Sequence, residues 1–217
     1  RSDLFVARDS GVYLYTNKGG QLSGSRLAIA LDEKSVAISL ALTDLDRDGK
    51  GDMLAAAYLK KDKMEGQNIF NKEGYGASSV LLLNNGDNTF KDITAAAGMT
   101  YVHNTFQGLF TDLDDDGDPY LVVAHDSGQV RTWKNNGDLT FANAPNPTSA
   151  QYGYPMGIAA ADYDGDGRTD LFFSNVGTTV PDFLGKGDLR DDQVYNKRWI
   201  LLRNDGGFNF TDVAEEA

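Results

Sequence analysis

The chain has 217 residues, 41% of them hydrophobic, which suits one domain or a run of small repeats with a real core and excludes a disordered chain. Acidic residues outnumber basic ones 32 to 20, and the formal charge of −12 would repel a nucleic-acid backbone from most of the surface. No cysteine is present and no run approaches the roughly 18 apolar residues of a membrane span, so disulfides, thiolate metal sites and a spanning helix are all excluded.

Twenty-four glycines, ten tyrosines and eleven phenylalanines against five prolines point to short strands joined by tight turns, an all-β class. In chain order, Arg1-Ser2-Asp3-Leu4-Phe5 lines up with Arg168-Thr169-Asp170-Leu171-Phe172, the closing half of an acidic loop. The chain therefore opens inside a repeat and is expected to be a segment of a longer parent. A weak turn follows at Asn17-Lys18-Gly19-Gly20. A strand over 38–42 leads to the first complete acidic loop, DLDRDGKGD at 44–52, and a strand over 53–58. A strand over 80–83 then runs into Asn84-Asn85-Gly86 and Phe90. The same order returns with a strand over 108–110, the loop DLDDDGDPY at 112–120, strands over 121–124 and 130–133, and Asn135-Asn136-Gly137 leading to Phe141. It returns once more with 158–161, the loop DYDGDGRTD at 162–170, strands over 171–174 and 199–202, and Asn204-Asp205-Gly206 leading to Phe208 and Phe210.

The acidic loops advance by 68 and 50 residues and the turns by 67, 51 and 69, so one unit carries one of each. Strand, acidic loop, strand, connection, strand, turn, strand is the arithmetic of a propeller blade. The expected fold is a partial β-propeller of about four blades of four antiparallel strands, divided near 1–28 (partial), 29–98, 99–150 and 151–217; a two-layer sandwich is the competing architecture.

Aspartates packed into three nine-residue windows repel one another and ask for a counter-ion. Alternating aspartates followed by glycine let a tight loop aim several carboxylates at one Ca2+, which takes six to eight oxygens. Positions 1, 3 and 5 supply Asp44, Asp46 and Asp48, then Asp112, Asp114 and Asp116, then Asp162, Asp164 and Asp166. Position 7, Lys50 or Arg168, offers its backbone carbonyl with its cation directed to solvent. Position 9 closes the set with Asp52 or Asp170. The second loop departs from this, because Tyr120 replaces the closing acid and Pro119 stiffens the approach; a rearranged set using Asp118 is expected there, with weaker binding. An EF-hand would need glutamate at position 12, where Ala55, Val123 and Phe173 stand. Mg2+ fits less well, since it demands octahedral geometry with retained waters. The alternatives are solvated acidic turns, or carboxylate pairs in acid–base catalysis; the latter requires unlike environments, and these aspartates come in matched sets.

The segments DYDGDGRTDLFF, LLLNNGDNTFKDITAAAGM and LLRNDGGFNFTDVAEEA resemble the FG-GAP/VCBS repeats of integrin α-subunit propellers, and especially the cartilage acidic protein and ASPIC/UnbV-associated group. The resemblance implies calcium ligation by Asp44, Asp46, Asp48, Asp52, Asp112, Asp114, Asp116, Asp162, Asp164, Asp166 and Asp170, and a secreted or surface-exposed protein. The literal Gly-Ala-Pro element of that family is absent.

In an up-and-down blade the acidic loops and Asn-Gly turns share one end. The long connections 60–78 and 175–198 and the linkers 100–107 and 145–156 lie at the other. They carry Phe70, Tyr75, Tyr101, His103, Phe106, Tyr152, Tyr154, Phe183 and Tyr195, suited to contact with another protein, a further copy of the chain or a glycan, or else to capping the blade junctions. His103 and His125 look too isolated for a transition-metal site, and Trp133 and Trp199 look like core. No Ser-His-Asp set, zinc signature or phosphate loop announces an enzyme. The reading is a non-catalytic interaction, adhesion or scaffold module, with a lectin as the alternative and a non-catalytic part of a secreted enzyme behind it.

Overall fold

The computed structural model describes residues 2–63, 76–126, 128–148, 155–175 and 199–217. The expectations for Phe70, Tyr75, Tyr152, Tyr154, Phe183 and Tyr195 lie outside those residues. The described strands form four antiparallel sheets. The first holds β1 (Leu4–Arg8), β2 (Gly11–Lys18) and β3 (Gln21–Arg26). The second holds β4 (Ser35–Thr43), β5 (Asp52–Lys60), β6 (Val80–Asn84) and β7 (Phe90–Asp92). The third holds β8 (Thr105–Thr111), β9 (Tyr120–His125), β10 (Arg131–Asn135) and β11 (Phe141–Ala144), and the fourth holds β12 (Pro155–Ala161), β13 (Asp170–Asn175), β14 (Trp199–Gly206) and β15 (Asn209–Asp212). Within each sheet the strands follow chain order, and β1 packs on β4, β4 on β8 and β8 on β12. Sheets stacked side by side along their first strands are blades of a partial propeller, not the two facing layers of a sandwich.

Alternation along the central strands builds the core. Met53, Ala55 and Ala57 of β5 face Val12 and Leu14 of the first sheet, while Leu54 faces Leu121, Val123 and Trp133 of the third. In β9 the opposite set, Tyr120, Val122 and Ala124, meets Leu171, Phe173, Ile200 and Leu202 of the fourth sheet. Burial on both faces explains why these strands read as nearly unbroken apolar runs. Each fully buried leucine contributes about 1.5–3 kcal/mol relative to exposure, so the sheet junctions carry most of the stability.

Two features fix how closely the inner strands approach. A Cβ on Gly108 of β8 would fall 2.4 Å from Leu54 Cδ2, so any larger residue would force that buried leucine aside for β8 to pass over it. Beside it, the Gln107 amide donates to the Ile158 carbonyl at 3.1 Å and accepts from the Ile158 amide at 2.9 Å, clamping β8 to β12.

Trp133 is core, 4% exposed. Trp199, expected in the core, is instead 52% exposed. Its neighbours Ile200 and Leu202 take the face of β14 that meets the third sheet, which turns Trp199 to the other face, edge-on to Phe172 at 6.1 Å. Tyr101 and Phe106 pack at blade junctions, Tyr101 against Trp133 at 5.2 Å and Phe106 against Tyr58 at 5.8 Å.

Candidate functional site

The acidic loops are the β4–β5, β8–β9 and β12–β13 connections, and all three share one backbone frame. The position-1 carboxylate accepts the amide of the position-6 glycine at 2.9 Å in every case: Gly49 to Asp44, Gly117 to Asp112 and Gly167 to Asp162. The position-5 carboxylate accepts the position-7 amide, Lys50 to Asp48 at 2.9 Å, Asp118 to Asp116 at 2.9 Å and Arg168 to Asp166 at 2.8 Å. These bonds require a left-handed residue at position 6, where the glycines have φ of 85°, 84° and 90°.

The frame draws the acids together. One carboxylate oxygen from each of Asp44, Asp46 and Asp48 lies within 4.8 Å of the others, and the same holds for Asp112, Asp114 and Asp116 and for Asp162, Asp164 and Asp170. All are hard oxygen donors, which suits a hard cation.

The position-9 acid has a second task that sequence reasoning missed. Asp52 is 1% exposed; its Oδ2 accepts the Leu45 amide at 2.7 Å and its Oδ1 accepts the Asn84 amide at 2.8 Å. Asp170 repeats this with Tyr163 at 2.9 Å and Asn204 at 2.8 Å, and Asp3 accepts the Asn17 amide at 2.8 Å. The carboxylate thus staples the acidic loop to the Asn turn two strands away. Burial pushes the Asp52 carboxyl up, and the two backbone amides oppose that shift. Asn84 completes the staple by donating from Nδ2 to the Gly51 carbonyl at 3.1 Å, which sets the acidic loops and Asn turns at the same end of the sheets.

The position-7 cations do not point to solvent as expected. The Lys50 ammonium bonds to Asp48 and the Arg168 guanidinium to Asp166, because each starts two residues from an exposed carboxylate and folds back over it. The Lys50 ammonium holds the Asp48 carboxyl below its usual range.

Loop two differs in what surrounds it. Tyr120 donates its hydroxyl to Asp114 Oδ2 at 2.8 Å and stacks on Phe208 at 5.0 Å. Lys134 of β10 reaches Asp114 at 2.5 Å and Asp116 at 2.8 Å. Burial and the bond to Asp114 push the Tyr120 phenol up to about 12, while Lys134 lowers the Asp116 carboxyl and is itself raised. Asp118, expected as an alternative ligand, is engaged elsewhere: Arg47 of loop one bonds to its carboxylate at 2.8 Å and to the Gly117 carbonyl at 3.1 Å. With no position-9 acid to receive it, the third sheet's turn is less well tied, and Asn135 Nδ2 is buried without a partner.

At the other end of β9, His103 and His125 are not isolated. Their rings lie 4.2 Å apart, brought together by the Ala77–His103 bridge and the β8–β9 pairing. His125 is fully buried, with Nδ1 2.9 Å from the Gln129 carbonyl, and no third ligand joins the pair among the described residues.

Residues 1–55 and 112–173, more than half of the chain and including all three acidic loops, match an FG-GAP-like repeat. The chain belongs to this family. Among curated FG-GAP relatives it is similar to cartilage acidic protein 1 of Homo sapiens, 28% identical over 102 residues that make up 45% of this chain and 15% of that protein. It is equally similar to cartilage acidic protein 1 of Xenopus tropicalis, 28% identical over 107 residues, 48% of this chain and 16% of that one. The FG-GAP chain thus matches only a small part of the length of these relatives.

Proposed function

We propose that this FG-GAP chain is a calcium-stabilised, non-catalytic interaction module of the extracellular space, in which loops one and three each hold a Ca2+ ion. The observation that carries the reading is the convergence of three carboxylates in each of those loops: Asp44, Asp46 and Asp48 beside the buried Asp52, and Asp162, Asp164 and the buried Asp170, with the exposed Asp166 at their rim. Four carboxylates against a single folded-back cation leave a strong local negative charge, which a divalent ion neutralises. Bound ions would then do the work of disulfides, cross-linking loop to turn in each blade, while the opposite end meets another protein or a further copy of the chain. No described helix is long and apolar enough to cross a membrane.

Calorimetry with Ca2+ and with chelator tests this. At about a hundred-fold excess over Kd each ion stabilises by about 2.7 kcal/mol, which raises the unfolding temperature by about 5–10 °C for a chain of this size. An unchanged temperature overturns the calcium reading.

A glycan-binding reading is favoured by one feature. A cleft of about 400 Å3 at the start of β10 is lined by Gln129, Arg131, Asn143 and Asn146, amide and guanidinium groups that match sugar hydroxyls. A glycan array probed with the intact chain decides it.

A further inference from the structure

We infer that loop two takes no divalent ion, because Lys134 and Tyr120 together fill the place of one. The inference rests on the calcium reading of loops one and three and concerns the loop that departs from them.

The three loops have the same frame, so backbone shape does not distinguish loop two. Two side chains from outside the DxDxDG core do. The first is the position-9 residue, Asp52 and Asp170 in loops one and three but Tyr120 in loop two. In loops one and three a carboxylate stands there; the Tyr120 hydroxyl instead donates to Asp114 Oδ2 at 2.8 Å and so occupies one of the three converging acids. The second is the residue just before the Asn turn, which is Leu83 in the second sheet, Lys134 in the third and Arg203 in the fourth. Leu83 carries no charge, and Arg203 bonds to Asp205 at 2.8 Å, with Asp164 of its loop near enough to be felt electrostatically but not bonded. Lys134 alone of the three lies over the acids of its own sheet's loop, within reach of two at once, at 2.5 and 2.8 Å.

Lys134 also differs from the folded-back cations of the other loops. Lys50 and Arg168 each bond to the position-5 carboxylate at the rim. Lys134 comes from a neighbouring strand and bridges positions 3 and 5, with its ammonium 5.4 Å from the Tyr120 ring centre, so the aromatic face adds a cation–π contact. An ion entering loop two would have to displace an ammonium tethered to the chain, while gaining one carboxylate fewer than in loops one and three. Lys134 and Tyr120 are therefore the residues that decide which loops of this chain respond to calcium. The physical consequence is a rim with two ion-dependent loops and one that stays closed in the absence of calcium.

The position-6 glycine amides report on the loops, and because Arg47 of loop one bonds to the Gly117 carbonyl, the number of ions bound is read beside them. In a Ca2+ titration of the isotope-labelled chain, the Gly49 and Gly167 amide resonances should shift and the Gly117 resonance should stay in place, with two ions bound per chain by equilibrium dialysis. In a Lys134→Met/Tyr120→Asp double variant, Gly117 should shift with the others and the count should rise to three. A Gly117 shift in the unaltered chain together with three bound ions overturns the inference, whereas a shift with two bound ions is loop one acting through Arg47. If Gly49 and Gly167 also stay in place, the calcium reading fails; the inference then stands or falls on whether Gly117 of the double variant responds. Should the double variant not fold, the unaltered chain decides by its ion count, two supporting the inference and three overturning it.

Discussion

The Asn84 amide donates to Asp52 Oδ1 at 2.8 Å, tying the close of loop one to the turn between β6 and β7. Asp52→Asn keeps the size of the side chain but turns one of its two acceptors into a donor facing a backbone amide. We predict a loss of about 1–3 kcal/mol even in chelator, read by urea unfolding, with any remaining calcium response confined to loop three. Asp118→Asn, at a half-buried rim position whose carboxylate meets the exposed Arg47, should cost well under that. Equal losses for the two variants would refute the staple.

His103 and His125 titrate far from ordinary values. Burial, with Arg131 nearby, lowers His103 to about 4 and, with His103 itself beside it, pushes His125 well below its normal range. Above pH about 6.5 both rings are neutral folded and unfolded, and they leave stability independent of pH. Below it the unfolded chain takes up protons that the folded pair refuses, so stability falls as pH drops from about 6.5 towards 4, by at most about 1.4 kcal/mol per pH unit for each ring kept neutral. Denaturant titrations between pH 5 and 7.5 should show this slope, and His125→Phe should flatten it. The carboxylates add their own slope at lower pH, so the comparison is with the unaltered chain at each pH.

Gly108→Ala should cost about 1–3 kcal/mol, because its methyl group would stand 2.4 Å from Leu54 Cδ2. Leu54→Ala alone opens a cavity and also destabilises. The two together should be less harmful than the sum of the singles, a coupling that a double-mutant cycle in thermal unfolding measures. Strict additivity would mean that the sheets do not meet at this point.

Tyr58 donates to Asp126 Oδ2 at 2.5 Å, and Asp126 is 1% exposed. Burial, and then that bond, raise the Tyr58 phenol so that it remains a donor throughout the working pH range. Tyr58→Phe removes a charge-assisted bond to a buried carboxylate and should destabilise by about 1.5–3 kcal/mol in equilibrium unfolding. A change below about 0.5 kcal/mol would show that other donors already satisfy Asp126.

The repeat made the architecture legible. Strand-length apolar runs at 53–58 and 121–124, flanked by acidic loops and Asn-Gly turns at matching intervals, correspond to β5 and β9 and to the loops that join them. The approach of the position-1 and position-3 acids follows for the same reason, since alternate residues of a tight turn share one side, whereas in loop three the third oxygen comes from Asp170 and not from the expected Asp166. What was not legible depends on contacts between distant strands. Lys134 carries no loop signature, and only the pairing of β9 with β10 brings it over Asp114. His103 and His125 meet because β8 and β9 pair antiparallel, which no local pattern reveals. Trp199 misled because its strand has an apolar residue on both faces, and periodicity alone does not say which of the two a neighbouring sheet will cover.

Arg47 belongs to the second sheet and grips Asp118 and the Gly117 carbonyl of the third, while Gln107 of the third clamps Ile158 of the fourth. Apolar faces alone can slide, since one methyl group slips past another at little cost. Directional polar struts cannot, and here they cross two successive junctions, one at the rim and one along the inner strands. The angles at those two junctions are thereby held by geometry that tolerates little rotation, so the second, third and fourth sheets should move as one stiff unit and not hinge blade by blade.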